Sequence, residues 1–194
     1  MTTVVVVKKA GQVAIAADTL VTFGDTRLGQ RFEDNSKIFR VETPAGVSFI
    51  GMAGTVAHFP ALRMAMAALP QDQLLLHSKD EVFTTFTKLH PVLKEGFFLQ
   101  TKEEDNDPYE SSQFSVLVAN NSGIYGLYSY REVFEFKEFW CIGSGRSFAL
   151  GALHASWGSA KSARDLAVLG VQAACEFDKN SGGPVDAYTL KLKK

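Results

Sequence analysis

The sequence predicts an α+β protein built as a four-layer αββα sandwich, in which two antiparallel sheets stack face to face and helices cover both outer faces. Strand patterns outnumber helix patterns, and the strands occur as hairpin pairs, which favours antiparallel sheets. The helix patterns occur as two pairs, and each pair follows a group of strands. Two helix pairs cover two stacked sheets most simply from the outside. At 194 residues, one domain over residues 1–194 is expected.

The first part of the chain predicts two strand hairpins. Val4–Val7 and Val13–Ala17 are apolar runs on either side of the turn KKAGQ. Segment 18–34 is polar and mixed, with no clear period. Further strand patterns follow at Lys37–Val41 and Val47–Met52, and they flank the turn ETPAG. We therefore expect four strands before the first helix.

Two helices are expected next. The apolar spacing in Leu62–Leu69 predicts a helix that Pro70 ends. Ser78, followed by Glu81 in the third position after it, predicts a capping box that begins a second helix. Pro91 lies inside the apolar pattern of that second helix and predicts a kink there.

The second part of the chain repeats the order of strands and then helices. Segment 101–112, TKEEDNDPYESS, predicts a solvated loop. A third helix follows the stretch GSGRSFALGALHASW, and Ser162 with Asp165 predicts the cap of a fourth helix that ends near Asp178. Strands are predicted at Phe114–Ala119, Ile124–Tyr128, Val133–Phe136, Phe139–Ile142 and Val185–Leu190.

The composition excludes several classes of protein. Twenty basic and 21 acidic residues give a net charge of −1, so no strong attraction to nucleic acid or to anionic lipid is expected. The chain has no apolar run near the ~18 residues of a membrane span and no signal peptide at its start. Cys141 and Cys175 lie in apolar stretches, which favours buried thiols in a reducing compartment. We expect a soluble, cytoplasmic protein.

Metal and nucleotide sites are not expected either. His77, His90 and His154 are scattered, and no pair has the spacing of metal ligands. Gly143–Gly145 is a GSG turn before a helix, which is one feature of a phosphate-binding loop. However, Phe148 stands where the third glycine would be, and no G-K-[S/T] sequence follows. The sequence therefore predicts no cofactor.

The second residue of the chain is a threonine directly before a strand. A free α-amine has a pKa of ~7.7–8, so it can act as a base near neutral pH. If Met1 is removed, Thr2 carries a hydroxyl nucleophile and that amine on the same Cα, which is a known form of covalent catalysis. A strand beginning at Thr3 would hold Thr2 rigidly at a sheet edge, with no leader before it. Threonine is common at this position, so its interpretation depends on the rest of the chain.

Six motifs supply that context. In order they are TTVVVV, IAADT, SKIFRV, GMAGTVA, IGSGRSFALGA and DKNSGG, and they span residues 2 to 183. On these motifs the chain resembles the proteasome β-subunits, a family of N-terminal nucleophile hydrolases. It is similar to the simpler bacterial members, which are the HslV type and the betaproteobacterial proteasome homologue. The resemblance implies the same αββα fold.

The resemblance implies a catalytic group around the nucleophile Thr2. Asp18 follows the second strand and Lys37 opens the third, and without the resemblance an ordinary surface pair would be the simpler interpretation. In the family's arrangement, the Lys37 ammonium lowers the pKa of the N-terminal amine by like-charge repulsion, and Asp18 holds Lys37 in position. Gly54 gives its backbone N–H to the oxyanion, although a glycine there also suits a strand-to-helix turn.

A second polar group is implied beside the first. Ser144 would lie next to the N-terminal amine and help to move its proton. Asp178 and Ser181, in the motif DKNSGG, would complete that hydrogen-bond network, with Gly182 at the sharp turn. Without the resemblance, this segment is simply the end of a helix and a loop.

The resemblance also implies where substrate binds. Met52 matches the base of the first specificity pocket and would favour large hydrophobic side chains, whereas a core methionine is the alternative. An extended peptide would lie along Val21, Thr22 and Val56. Thr22 would bind the peptide through backbone hydrogen bonds, so that the peptide forms an additional strand. His58 stands where the family commonly has Asp, and no role is assigned to it.

The implied function is that of a self-compartmentalising threonine peptidase that hydrolyses unfolded polypeptides. Its subunits would form stacked rings of six or seven copies, with heptamers favoured and a tetradecamer expected. Helical segments 61–69 and 147–157 are candidate subunit contacts, and an unfoldase ATPase partner is left open. No nucleic acid or membrane partner is expected. Two alternatives stay open, which are an amidohydrolase of small molecules on the same fold and a catalytically inactive, ring-forming scaffold subunit.

Overall fold

The structure, a computed structural model, describes residues 2–29, 31–102, 106–107, 109–129 and 131–193. The described residues form eleven strands and four α-helices. In chain order these are β1 (Thr3–Lys9), β2 (Gln12–Asp18), β3 (Val21–Phe23), β4 (Thr26–Leu28), β5 (Ile38–Thr43), β6 (Gly46–Ala53), α1 (His58–Ala68), α2 (Lys79–Pro91), β7 (Ser115–Asn120), β8 (Ile124–Leu127), β9 (Val133–Phe136), β10 (Phe139–Gly143), α3 (Arg146–Ser156), α4 (Ala163–Phe177) and β11 (Val185–Lys191).

The strands form two large sheets and one small hairpin. The first sheet has four strands in the order β10-β1-β2-β11, and the second has five strands in the order β5-β6-β7-β8-β9. Neighbouring strands are antiparallel throughout both sheets, as predicted. Strand β1 lies in the interior of its sheet, so Thr2 precedes a central strand rather than an edge strand.

Both faces of β1 are buried, which explains its unbroken run of β-branched residues. Val4 and Val6 face the second sheet, whereas Val5 and Val7 face the helices, because side chains alternate along a strand. All four side chains have no solvent exposure. Since full burial of one valine is worth about 1.5–3 kcal/mol, this strand anchors the beginning of the described chain at the centre of the fold.

Helices cover the outer face of each sheet. Leu62 of α1 and Phe86 of α2 pack on the five-stranded sheet, and Leu153 of α3 and Leu166 of α4 pack on the four-stranded sheet. These layers confirm the predicted αββα sandwich. Within the described part of the chain, no helix is both long enough and apolar enough to cross a bilayer.

The two predicted helix caps differ in detail. At α4, the Asp165 N–H donates to Ser162 Oγ at 3.1 Å and the Ser162 N–H donates to Asp165 Oδ2 at 3.2 Å, which completes the capping box. At α2, the Glu81 N–H donates to Ser78 Oγ at 3.2 Å. The Glu81 carboxylate instead accepts from the N–H of His77 at 2.7 Å, so only half of that predicted capping box forms.

The segment after α2 differs from its prediction in two respects. Pro91 is the last residue of α2, and Val92–Gly96 continues as a π-helical turn rather than as a kinked α-helix. The predicted solvated loop 101–112 is wrong at its ends, because Thr101 and the serines at 111–112 are buried. Residues 103–105 and 108 of that loop lie outside the described residues.

Segment 18–34 contains a hairpin that the sequence pattern did not predict. Strands β3 and β4 have three residues each, and Thr22 lies directly opposite Arg27 in their register. The cysteine prediction is half right, since Cys141 is buried and Cys175 is only half-buried. Burial raises the pKa of the Cys175 thiol to about 11.

Candidate active site

Thr2 lies where the two central strands of the four-stranded sheet meet the start of α3. Only 2% of its surface is exposed. The Ser144 N–H donates to the Thr2 carbonyl oxygen at 2.9 Å, and Ser144 Oγ lies 3.4 Å from the same oxygen. Gly143, with a φ of +95°, permits this approach, because a Cβ on it would lie 1.8 Å from that oxygen. The backbone at residue 2 is therefore held closely on one side.

Asp18, the last residue of β2, connects four other residues through its carboxylate. Lys37 Nζ donates to both carboxylate oxygens at 3.0 Å. The backbone N–H of Thr3 donates to Oδ1 at 2.8 Å, and the backbone N–H groups of Leu20 and Gly182 donate to Oδ2 at 3.1 Å. The carboxylate thus ties a buried cation to the backbone next to Thr2.

The ion pair is almost completely buried, since the side chains of Lys37 and Asp18 are 5% and 0% exposed. Burial lowers the pKa of the Lys37 ammonium from its ordinary value, and the charge and hydrogen bonds of Asp18 oppose that effect. Asp178 also contributes to the electrostatic environment of Lys37. A cation held at this place can stabilise a negative charge or repel another cation.

A second carboxylate, Asp178, follows α4 and joins the same cluster. Its Oδ2 accepts from Ser144 Oγ at 2.6 Å and from Ser181 Oγ at 2.7 Å, and its Oδ1 accepts from the Asn180 N–H at 3.1 Å. Burial alone would raise the pKa of Asp178, but these hydrogen bonds outweigh it and lower the pKa. Asp178 is therefore held as a carboxylate that accepts hydrogen bonds from two serine hydroxyls.

Thr3 connects the two carboxylate groups, and no role for it was predicted. Its N–H binds Asp18, and its Oγ1 is hydrogen-bonded to Ser181 Oγ at 2.7 Å. Ser181 in turn donates to Asp178. The sequence signal for this link is limited to the second threonine of the TT pair, which is fully buried at the beginning of β1.

The predicted oxyanion residue Gly54 comes directly after β6. That strand is aligned with β5 so that the Met52 N–H donates to the Lys37 carbonyl at 3.4 Å, which places this end of β6 beside Lys37. A Cβ on Gly54 would lie 3.1 Å from Phe114 Cβ and 3.3 Å from His58 Nδ1. Gly54 therefore packs closely against the Cβ of Phe114 and the ring of His58, and a larger residue would have to displace one of them.

The predicted substrate-binding residues lie in different environments. Thr22 is exposed on β3, Val21 beside it is buried, and Val56 is 51% exposed on the turn before α1. Met52 is fully buried in the cluster between the five-stranded sheet and helices α1 and α2. Its surroundings match those of a core methionine, and its predicted place in a specificity pocket stays a prediction.

His58 begins α1 beside Gly54. Its ring is 5.7 Å from the ring of Phe114, and its Nδ1 is a buried atom without a hydrogen-bond partner. Burial lowers the pKa of this imidazole. Among the described residues, no group of three or more His, Cys, Asp or Glu side chains could hold a metal ion.

Two solved structures of the bacterial proteasome-like BPH from Thiobacillus denitrificans are similar to this chain. The structure in complex with epoxomicin has 36% sequence identity and a TM-score of 0.87, and the match covers 99% of this chain and 100% of that chain. The other has 36% identity and a TM-score of 0.89, with 98% of each chain covered. This chain belongs to the proteasome β-subunit family. The likeness thus extends over nearly the whole proteasome-family domain.

A more distant relative shares the proteasome-type fold. It is the eukaryotic HslV from Trypanosoma brucei, with 19% identity, a TM-score of 0.66, and coverage of 97% of this chain and 99% of that chain. Comparisons with protein-family models and with curated proteins found no match. The family assignment therefore depends on the solved BPH structures, and it makes this chain a member of a family of peptidase-type hydrolases.

Proposed function

We propose that this protein is a threonine peptidase whose nucleophile is Thr2 after removal of Met1. The single observation that carries the proposal is the buried Asp18–Lys37 pair, whose carboxylate binds the Thr3 N–H directly after Thr2. A buried cation held so close to the beginning of β1 can lower the pKa of an amine at Thr2 by like-charge repulsion. Met1 itself lies outside the described residues.

In the proposed reaction, Thr2 Oγ1 attacks the carbonyl carbon of a peptide bond. The free amine of Thr2, directly or through a water molecule, accepts the hydroxyl proton and passes it to the leaving amine. The Lys37 ammonium lowers the pKa of that amine by like-charge repulsion and so keeps it available as a base. Asp18 favours the charged ammonium and fixes its position. Water then hydrolyses the acyl-enzyme with the same amine as base.

Two further groups assist this reaction in the proposal. The Gly54 N–H donates to the oxyanion of the tetrahedral intermediate, and the absence of a side chain leaves that amide accessible. Ser144 helps to move the proton of the Thr2 amine. Its position supports this role, because it already binds the Thr2 carbonyl and donates to Asp178. Ser181 holds the other side of the same carboxylate.

The proposed substrate is an unfolded polypeptide bound in extended form. The peptide would pair with β3 at Thr22 as an additional strand. Val21 and Val56 would lie along the peptide, and Met52 would form the base of the first specificity pocket. The exposure of Thr22 and Val56 supports such a groove. That one of the BPH structures was solved in complex with epoxomicin supports a ligand site in this family.

We further propose that the subunits assemble into stacked rings, with heptamers favoured over hexamers and the sites facing an inner chamber in the cytoplasm. Segments 61–69 and 147–157 would contribute subunit contacts. Met64 is 56% exposed and Phe148 is 43% exposed, which supports this assignment because such apolar side chains are commonly covered in an assembly. An unfoldase ATPase would feed the chamber if one exists.

The test combines the N-terminal mass with peptide hydrolysis. We expect mass spectrometry to show loss of Met1, and Thr2→Ala to abolish hydrolysis of fluorogenic peptides while native mass spectrometry shows the same assembly. Thr84→Ala, at an exposed position of α2, is the matched control and should retain full activity. Full peptide turnover by Thr2→Ala would overturn the proposal.

The same measurements separate the two alternatives. Hydrolysis of small acyl-amides without hydrolysis of peptides would indicate an amidohydrolase. Retention of Met1 with no hydrolysis of either substrate would indicate a scaffold subunit, because a peptide bond at Thr2 removes the proposed base.

A further inference from the structure

The small hairpin β3–β4 would form one edge of the proposed substrate groove. It has three residues in each strand, and an isolated two-stranded hairpin of this length is marginally stable at best. Its first strand carries Val21 and Thr22, which the proposed function places along the substrate. An element of this kind needs anchors outside itself if it is to present a fixed edge to a peptide.

The turn after α4 is a suitable anchor, because it is fixed to the end of β2 by several hydrogen bonds. The Gly182 N–H donates to Asp18 Oδ2 at 3.1 Å, and the Thr19 N–H donates to the Gly182 carbonyl at 3.0 Å. The Thr19 hydroxyl donates to the Pro184 carbonyl at 2.8 Å. Residues 182–184 are thus held at the same carboxylate that binds Lys37.

Arg27 joins the hairpin to this anchor. Its guanidinium donates to the Gly183 carbonyl at 2.8 Å, across 156 positions of sequence. A Cβ on Gly182 would lie 3.4 Å from the same guanidinium nitrogen, so the guanidinium also packs against Gly182. Thr22 is directly opposite Arg27 in the hairpin, and directly opposed residues point to the same face of a sheet.

We infer that Arg27 is a positioning residue that fixes the strand carrying Thr22 relative to the turn at residues 182–184, and thereby sets the affinity for extended peptides. This inference rests on the proposed function. A peptide that adds as a strand needs the backbone of β3 in one register and orientation, and a loose hairpin would lose that order before binding. The step of bond cleavage takes place at Thr2, so loss of Arg27 should weaken substrate binding rather than slow the chemistry.

The experiment compares Arg27→Ala and Arg27→Lys with the wild type on fluorogenic peptides of increasing length. For Arg27→Ala we expect KM to rise about tenfold, the size expected for one charge-assisted hydrogen bond, and kcat to stay within about twofold. The rise should be larger for longer peptides. Arg27→Lys keeps a cationic donor and should restore part of the affinity. Arg31→Ala, at an exposed arginine just beyond the hairpin, is the matched control and should leave KM unchanged.

Hydrogen exchange provides a second readout that needs no catalysis. In Arg27→Ala, the amides of residues 21–28 should exchange faster than in the wild type, while those of the buried strand β1 should not change. Unchanged KM together with unchanged exchange would overturn the inference, and so would a fall in kcat at constant KM. A wild type that hydrolyses no peptide contradicts the proposed function instead, and the exchange of residues 21–28 then still decides whether Arg27 holds the hairpin.

Discussion

Lys37 Nζ lies 3.0 Å from each carboxylate oxygen of Asp18, and the pair is buried between β2 and the beginning of β5. Removing two charges from water costs several kcal/mol per ion, and their attraction often does no more than offset this. Such a pair is therefore a poor source of stability compared with packed apolar side chains. Because Asp18 also binds the N–H of Thr3, the pair is better suited to the catalytic role proposed above. Separate measurements of stability and of activity can test this interpretation.

Asp18→Asn should destabilise the protein by about 3–5 kcal/mol, because it removes the carboxylate that pairs with the buried Lys37 ammonium. Urea denaturation followed by circular dichroism gives this value directly. Peptide hydrolysis should also be lost.

The double variant Asp18→Asn with Lys37→Met is the control. It removes the buried cation as well, so we expect it to regain most of the lost stability while it remains inactive. A double variant as unstable as the single one would mean that Asp18 acts mainly through the backbone N–H groups of Thr3, Leu20 and Gly182.

The layered fold could be predicted because its signals are local. The unbroken apolar run Val4–Val7 indicated a strand, and the helix caps and apolar spacing located four helices within a few residues. The hairpin β3–β4 could not be predicted, because three-residue strands are too short to show an alternating pattern. Thr101, Ser111 and Ser112 are polar residues that are buried by tertiary packing, and composition alone assigned them to solvent.

The candidate site could be predicted only in part, for a similar reason. The order of the motifs predicted that Asp18, Lys37 and Asp178 belong to one site. No periodic pattern in the sequence can predict hydrogen bonds between residues so far apart in the chain. The bonds from Asp18 to Gly182 and from Thr3 to Ser181 arise from the strand order β1-β2-β11, which places distant segments side by side. Thr3 and Arg27 were missed because their partners are backbone or hydroxyl groups, which carry no distinctive sequence signal.

Gly143→Ala should displace the backbone at Thr2. The conformation at φ +95° costs a non-glycine residue about 1–3 kcal/mol, and the new Cβ would lie 1.8 Å from the Thr2 carbonyl oxygen. We expect a lower free energy of unfolding and a large loss of kcat. Gly151→Ala is the matched control, since that glycine lies in α3 with no atom within 4 Å of a new Cβ. It should stabilise the protein by about 0.5–1 kcal/mol and leave hydrolysis unchanged.

Glu110 should make stability depend on pH in the acid range. Lys94 Nζ and His90 Nε2 lie 2.5 Å and 3.2 Å from its carboxylate oxygens, and these hydrogen bonds lower the pKa of Glu110 from 4.5 to about 2. A carboxyl group with a lowered pKa stabilises the fold above its ordinary pKa, and this contribution is lost as the pH falls from 4.5 towards 2.

The measurement is urea denaturation of the wild type and Glu110→Gln from pH 7 to pH 2. The difference between their free energies of unfolding should be largest above about pH 5 and should vanish near pH 2. It should also shrink at high salt, because the group is accessible to solvent. Glu95→Gln, an exposed carboxylate on the preceding π-helical turn, is the control and should not reproduce the effect. A difference that is constant with pH would contradict the assignment.

His58 should give a second pH dependence, nearer to neutral. Its Nδ1 is buried without a partner against Gly54 and Phe114, and burial lowers the pKa of its imidazole from 6.5. The unfolded chain then binds a proton more readily than the folded protein, so the wild type should lose stability as the pH falls below 6.5.

His58→Phe keeps a ring against Phe114 and removes the unpaired nitrogen. We expect the variant to be at least as stable as the wild type at pH 7, and its free energy of unfolding to fall less between pH 7 and pH 5. His154→Gln, on an exposed position of α3, controls for the loss of a histidine. If His58→Phe and the wild type lose stability equally on acidification, the imidazole can be protonated in the folded protein as easily as in the unfolded chain, and the proposed effect of its burial is wrong.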